Sequence, residues 1–267
     1  MIAGVRRTAA PSGLAQVTFD LTDPASLEAA LDTARPDAVV HSAALADPDR
    51  CEREPDLARA CNEDAPGRLA RLCRARGVRL VSLSTDLVFA GDRPFAGEDD
   101  PALPVLAYGR GKLAGEAAVL GEDPGAVVLR LALVCGRGHG PRATASEAIA
   151  WSLLAGRTVR LFTDQFRTPV DPESVADAIA RVLAGPHRGR FHLGGPERLS
   201  RYELGLRVAA ALGLPSHLVT PIRQRDLALA APRPGDVSLD THRAREVLGW
   251  DPRTLDDGIR EGRPAAG

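Results

Sequence analysis

The sequence predicts an α/β fold with a parallel sheet built from βαβ units. Two observations carry this expectation. Short apolar or β-branched runs alternate with segments whose apolar residues recur at helical spacing, and those segments carry their own start or stop signals. A third observation places chemistry on the frame: Tyr108 and Lys112, four residues apart, open one of the helices.

The elements follow in order. Ile2 to Val5 reads as a short strand. Pro24 takes the first position of a helix capped by Thr22 or Asp23, with Leu27, Ala30, Leu31 and Ala34 on one face. Ala38 to His41 is the next strand. Residues 65–75 repeat apolar side chains at Leu69, Leu72 and Cys73, and Gly77 stops that helix. Val78 to Ser84 is a strand, Tyr108 to Leu120 a helix, and Ala126 to Val134 a long apolar strand. Asp171-Pro172 caps a helix striped by Val175, Ile179, Val182 and Leu183 and ended by Gly185-Pro186. Ser200-Arg201-Tyr202-Glu203 is a capping box whose helix stops at Gly213. Residues 230–235, rich in proline and alanine, read as a loop. No internal repeat or low-complexity tract interrupts the pattern.

Composition narrows the class. A chain of 267 residues can bury one large core or two intimate ones. Its net charge of −1 offers no field for nucleic acid or an anionic membrane. No apolar run approaches the roughly 20 residues of a membrane helix, and the N-terminus lacks a secretory pattern, so a cytoplasmic location is expected. Four cysteines without a C-x-x-C pair read as reduced thiols. The six histidines are dispersed, so no metal site is expected.

The basic inventory is more pointed. Of 34 Lys and Arg residues only Lys112 is lysine, and only Tyr108 and Tyr202 are tyrosine. Tyr108-Gly109-Arg110-Gly111-Lys112 puts the two on one helical face. A lysine cation there favours phenolate and would draw the tyrosine pKa down from about 10. Tyr108 could then exchange a proton with a carbonyl or alcohol while a cofactor exchanges a hydride. The bland alternative is a packed tyrosine beside a solvated lysine, and the scarcity of both residues argues against it. Ser82-Leu83-Ser84-Thr85-Asp86 ends a strand, where open α/β sheets bind ligands.

These segments together resemble a known family. Ser84-Thr85-Asp86-Leu87-Val88-Phe89-Ala90-Gly91, Glu98-Asp99-Asp100, Pro104 and Tyr108-Gly109-Arg110-Gly111-Lys112-Leu113-Ala114-Gly115-Glu116 are similar, in order, to motifs of the dTDP-4-dehydrorhamnose reductases. That family belongs to the extended short-chain dehydrogenases/reductases. His41-Ser42-Ala43-Ala44, Asn62, Arg167-Thr168-Pro169, Arg233-Pro234 and Leu239-Asp240 resemble its further landmarks.

The resemblance implies a doubly wound Rossmann-type nucleotide-binding domain over residues 1–135. A smaller α/β substrate domain would occupy 136–267, with a segment near 165–185 returning to the first. It implies NADPH- or NADH-dependent reduction of a 4-keto sugar on a nucleoside diphosphate, and it allows a homodimer. Tyr108 would donate the proton, Lys112 would lower its pKa and hold the nicotinamide ribose, and Thr85 would orient the carbonyl. Asp20 and Leu21 would line the adenine pocket, with Ala43 and Ala44 against the cofactor backbone. Arg6 and Arg7 would read a 2′-phosphate and favour NADPH. Thr85, Asp86 and Arg233 would contact substrate.

The sequence also departs from the family. Leu87, Leu133 and Cys135 stand where it has aromatic residues lining the sugar, which leaves the reaction type but not the dTDP-hexose implied. The family's opening strand and G-x-x-G-x-x-G loop, which bind pyrophosphate, have no counterpart before Met1, so the first strand of the sheet is expected to be lacking. Gly136-Arg137-Gly138-His139-Gly140 falls at the family's substrate loop instead and is set aside as a phosphate loop. Two alternatives stay open: a non-catalytic regulatory subunit, such as that of methionine adenosyltransferase, and a nucleotide-sugar epimerase.

Overall fold

The computed structural model describes residues 2–5, 13–138, 143–227 and 233–262. The chain opens with β1 (Ile2–Val5), β2 (Ala15–Thr18), α1 (Pro24–Ala34) and β3 (Ala38–His41). Two short helices follow, α2 (Pro48–Arg53) and α3 (Pro55–Arg59), and a π-helical turn over Ala60–Asp64 leads into α4 (Ala65–Ala75). Next come β4 (Arg79–Thr85), α5 (Ala107–Glu122) and β5 (Val127–Leu131), then α6 (Ala145–Leu154), β6 (Val159–Phe162) and β7 (Phe166–Arg167). The chain continues through α7 (Pro172–Ala184), β8 (Gly189–Leu193), β9 (Leu199–Ser200), α8 (Arg201–Leu212) and β10 (Val219–Ile222). Helices α9 (His242–Leu248) and α10 (Leu255–Glu261) complete it.

Local chemistry sets the helix starts. The Asp23 carboxylate accepts from Ala25 N, Asp171 from Ser174 N, and Ser200 with Glu203 forms a capping box. Each satisfies a backbone donor that the first helical turn leaves without a partner.

Strands β3, β4, β5 and β8 form a four-stranded parallel sheet in that order. Helices cover both of its faces, which is why its strands read as continuous apolar runs. Leu80 and Val128 pack with Leu27 and Leu31 of α1, Leu69 and Cys73 of α4, and Val119 of α5. Val81, Val127 and Leu129 pack on the other side with Val175, Ala178 and Val182 of α7 and with Trp250. A separate core gathers Ile149 and Leu153 of α6, Leu204 and Val208 of α8, Leu161, Val219 and Ile259. Strands β6 and β10 pair in parallel beside it.

Strand β4 pairs with β3, with Ala38 opposite Arg79 and Arg79 N donating to Asp37 O. Strand β1 pairs in parallel with β2, and among the described residues no strand hydrogen-bonds both β1 and β3. Among the described residues β1 and β2 therefore form a sheet of their own, separate from the four-stranded one. The strand expected over Ala126 to Val134 leaves the sheet at Leu131. Beyond it Cys135 N donates to Val170 O and Val170 N to Leu133 O, so the segment before α7 captures the chain.

Candidate active site

Strand β4 ends at Thr85, whose hydroxyl accepts from Leu87 N at 3.2 Å and so caps a single 3₁₀ turn over Asp86–Val88. Helix α5 begins opposite that turn, and Ala107 N donates to Glu52 of α2 at 2.7 Å. Glycine makes the approach possible. A Cβ on Gly109 would lie 2.2 Å from Leu87 O, and one on Gly115 would lie 2.2 Å from Asn62 O. Asn62, in the π-helical turn, accepts from Leu45 N at 2.9 Å and donates to Leu45 O at 3.1 Å, pinning the loop after β3. π-helical turns recur at functional sites.

Thr85, Tyr108 and Lys112 come together where β4 meets α5. Tyr108 is half-buried and hydrogen-bonds Thr85. Lys112 is 5% exposed, and its ammonium donates to Leu83 O at 2.8 Å. The expected effect of Lys112 on the phenol is not what the unliganded site shows. Burial, then the Asp86 charge and Cys51, push the Tyr108 pKa up to about 12, against the Thr85 hydrogen bond. The reason is direction: i, i+4 spacing shares a face, but this ammonium reaches back to a strand carbonyl. Burial lowers Lys112 itself to about 8, opposed by Glu116. Tyr108 is therefore a neutral phenol at neutral pH, the form that donates a proton. His41, at the end of β3, has an unpartnered buried Nε2 and is lowered to about 3 by burial and then by Lys112.

Asp86 lies beside Thr85, 4% exposed, with Arg167 Nε 3.4 Å from its Oδ2. Burial raises its pKa and Arg167 opposes. Beneath the site runs a charge network that sequence reasoning quoted only as a motif ending. Arg130 donates to both oxygens of Glu116, through Nη2 at 2.8 Å, with both side chains 2% exposed. Ser84 donates to the same carboxylate at 2.5 Å, and Arg190 Nε lies 3.3 Å away. Arg130 Nη1 is 3.3 Å from His192 Nε2. Burial, then Arg130, lowers His192 to about 3, so it stays a neutral ring.

The remaining sequence candidates sit apart from this cluster or in the open. The Asp20 carboxylate accepts from Thr22 N at 2.9 Å and Thr22 Oγ1 at 2.7 Å; Leu21 and Ala44 are half-buried and Ala43 is exposed. Arg233 pairs with Asp49 of α2 at 2.6 Å. Arg6 and Arg7 lie outside the described residues. In the glycine-rich segment, Gly136 N donates to Ser146 and Gly138 N to Glu147, so α6 occupies those amides; residues 139 and 140 lie outside the description. Among the described residues no helix is long and apolar enough to cross a membrane, and no His, Cys, Asp and Glu cluster is arranged for a metal.

The donor set suits the nicotinamide end of a dinucleotide: among the described residues Lys112 uses one of its three N–H donors on the protein. Several solved structures with this fold hold NADP or NAD. A probable low-salt glycan biosynthesis reductase, Agl14 of Haloferax volcanii, is 34% identical over 247 residues, covering 90% of this chain and 81% of that protein. Methionine adenosyltransferase 2 subunit beta of Pongo abelii is 35% identical over 234 residues, covering 85% and 70%. The crystal structure of a hypothetical dTDP-4-dehydrorhamnose reductase from Sulfolobus tokodaii is 30% identical with a TM-score of 0.84, covering 95% and 89%. The model of the family described as RmlD substrate binding domain matches residues 3–262, and the chain belongs to that family.

Proposed function

We propose that the chain is an NAD(P)H-dependent reductase of a nucleoside-diphosphate 4-keto sugar. The observation that carries this reading is the meeting of Thr85, Tyr108 and the buried Lys112 where β4 ends against α5, with the Lys112 ammonium held on Leu83 O at 2.8 Å. A neutral phenol is the form required to protonate a carbonyl oxygen as it is reduced. Thr85 orients that oxygen by hydrogen bonding it, and Tyr108 delivers the proton. Lys112 holds the nicotinamide ribose through the N–H donors it does not spend on Leu83 O. A reduced nicotinamide dinucleotide, when bound there, would supply the hydride. In the same reading Asp20 and Leu21 face the adenine, Ala43 and Ala44 the cofactor backbone, and Asp86 and Arg233 the substrate. Arg6 and Arg7 read a 2′-phosphate, which favours NADPH over NADH.

The packing supports a division into a nucleotide-binding part over residues 1–135 and a mainly substrate-binding part over 136–267. Within the second part, α7 packs on the main sheet and α6 with α8 builds the separate core. We place the protein in the cytoplasm and allow a homodimer, which light scattering tests.

The test is consumption of reduced nicotinamide with a panel of nucleoside-diphosphate 4-keto sugars. Tyr108→Phe should lower turnover about 10²- to 10⁴-fold with the fold unchanged. Equal turnover by the variant sinks the reading. The similarity to methionine adenosyltransferase subunit beta favours a second reading, a non-catalytic regulatory subunit. It predicts dinucleotide binding with no turnover of any sugar.

A further inference from the structure

A second set of polar groups abuts the strand end that carries Thr85. Strands β7 and β9 pair antiparallel, with Arg167 opposite Leu199, and Arg201 N donates to Gln165 O at 2.9 Å. Gln165, Arg167 and Arg201 are thereby gathered at the start of α8, and Arg167 reaches Asp86.

Their charges do not balance. Asp86 neutralises Arg167. Among the described residues the Arg201 side chain makes no hydrogen bond and no ion pair, and the residues outside the description contain no Asp or Glu side chain. Its surroundings oppose its charge: burial first lowers its pKa and Arg167 adds repulsion, against attraction from Cys135 and Asp86. As the first residue of α8 it also sits at the positive end of a helix dipole. Gln165 is 7% exposed, and its Nε2 has no hydrogen-bond partner. One carboxylate, Asp86, whose Oδ2 makes no hydrogen bond, thus serves two guanidiniums, and the excess positive charge is costly unless a ligand brings an anion.

The place adjoins the candidate site: Arg167 lies 3.4 Å from Asp86, next to Thr85, and Cys135, wholly buried, is within reach of the Arg201 charge. A neutral sugar set here would leave this arginine unpaired. A planar two-oxygen acceptor matches the guanidinium fork, with the Gln165 amide as a further donor.

We propose that Arg201 and Gln165 form a subsite for a carboxylate on the sugar ring, so that the substrate is a uronate-type sugar nucleotide. This rests on the reading of the chain as a nucleotide-sugar enzyme. Titration calorimetry on the full chain tests it without turnover. The probes are UDP-glucuronate against UDP-glucose, the dTDP-linked pair, and UDP and dTDP alone. The wild type should bind the uronate about tenfold more tightly than the neutral partner, the scale of one charge-assisted hydrogen bond. Arg201→Gln should erase that preference and leave nucleoside-diphosphate affinity within about twofold. Arg201→Lys, which keeps the charge and loses the fork, should retain part of it. Equal wild-type affinity for uronate and neutral sugar overturns the proposal. So does an Arg201→Gln variant that loses as much affinity for UDP as for UDP-glucuronate, which would assign the cation to phosphate. Reduction of neutral 4-keto sugars without any uronate preference overturns the carboxylate alone. Failure of every nucleotide and sugar nucleotide to bind overturns the reductase reading with it.

Discussion

Around Tyr108 the polar side chains are mostly buried and held by a second residue, whereas the rim of Asp20, Leu21 and Ala43 is exposed or half-buried and held by local turns. Lys112, Glu116, Arg130 and His192 are each at most 5% exposed, and they come from one helix and two neighbouring strands of the main sheet. The Asp20 carboxylate, by contrast, bonds Thr22, two residues along the chain. The difference teaches where precision is needed. In the proposed reading Tyr108 transfers a proton, which depends on small displacements between donor and acceptor and needs groups over-determined by packing. The rim proposed to face the adenine can settle around its ligand.

Four substitutions break or sharpen that contrast. Glu116→Ala should be the largest, because it leaves Arg130 buried without its carboxylate; about 3–5 kcal/mol of stability should be lost. Denaturant unfolding reads this, and a loss under about 1 kcal/mol would show that the network does not hold the wall. Gly115→Ala comes next. Its methyl carbon must displace the Asn62 carbonyl from 2.2 Å, so about 2–3 kcal/mol should go, with loosening of the loop that Asn62 pins. Unchanged stability would mean that α5 and the π-helical turn are not tightly seated.

Lys112→Met should act with the opposite sign. The folded pKa of Lys112, about 8, lies below its ordinary 10.5, so the folded state disfavours the charged form. The unfolded chain binds the extra proton between those values, and wild-type stability should rise with pH across that window. The variant should therefore be about 1–2 kcal/mol more stable at pH 7, with the gap closing toward pH 10, and it should be inactive. A destabilised variant at pH 7 would mean that the bond to Leu83 O outweighs the burial of the charge. The smallest effect belongs to the rim. Asp20→Ala should cost about 0.5–1 kcal/mol through the lost turn bonds to Thr22, while weakening dinucleotide binding in a fluorescence titration. A larger stability loss would erase the contrast between the two regions.

Legibility divides along the same line. Helix α1 was readable from Asp23-Pro24, α7 from Asp171-Pro172 and α8 from Ser200 with Glu203, because caps act within three residues. Strands β3 and β4 were readable as apolar runs bounded by turn residues. Strand β2 was not: its four residues are mostly exposed and carry no alternation. The π-helical turn escaped because its register depends on Asn62 bonding Leu45 across the loop. At the site, the spacing of Tyr108 and Lys112 on one helical face was set by the chain alone, since four residues make just over one turn.

What the spacing could not decide was where the lysine points and what the phenol feels. The ammonium turns to Leu83 O, and Tyr108 rises to about 12 under burial and Asp86. Likewise the pairing of Glu116 with Arg130, and the gathering of Arg167 and Arg201 near Asp86, joins residues far apart in the chain. The sequence by itself determined element types, helix caps and the shared helical face of Tyr108 and Lys112, all properties of short-range backbone geometry. The tertiary structure alone decided protonation and charge pairing, because desolvation and Coulomb interactions depend on how much protein lies around a group and which charges are folded against it.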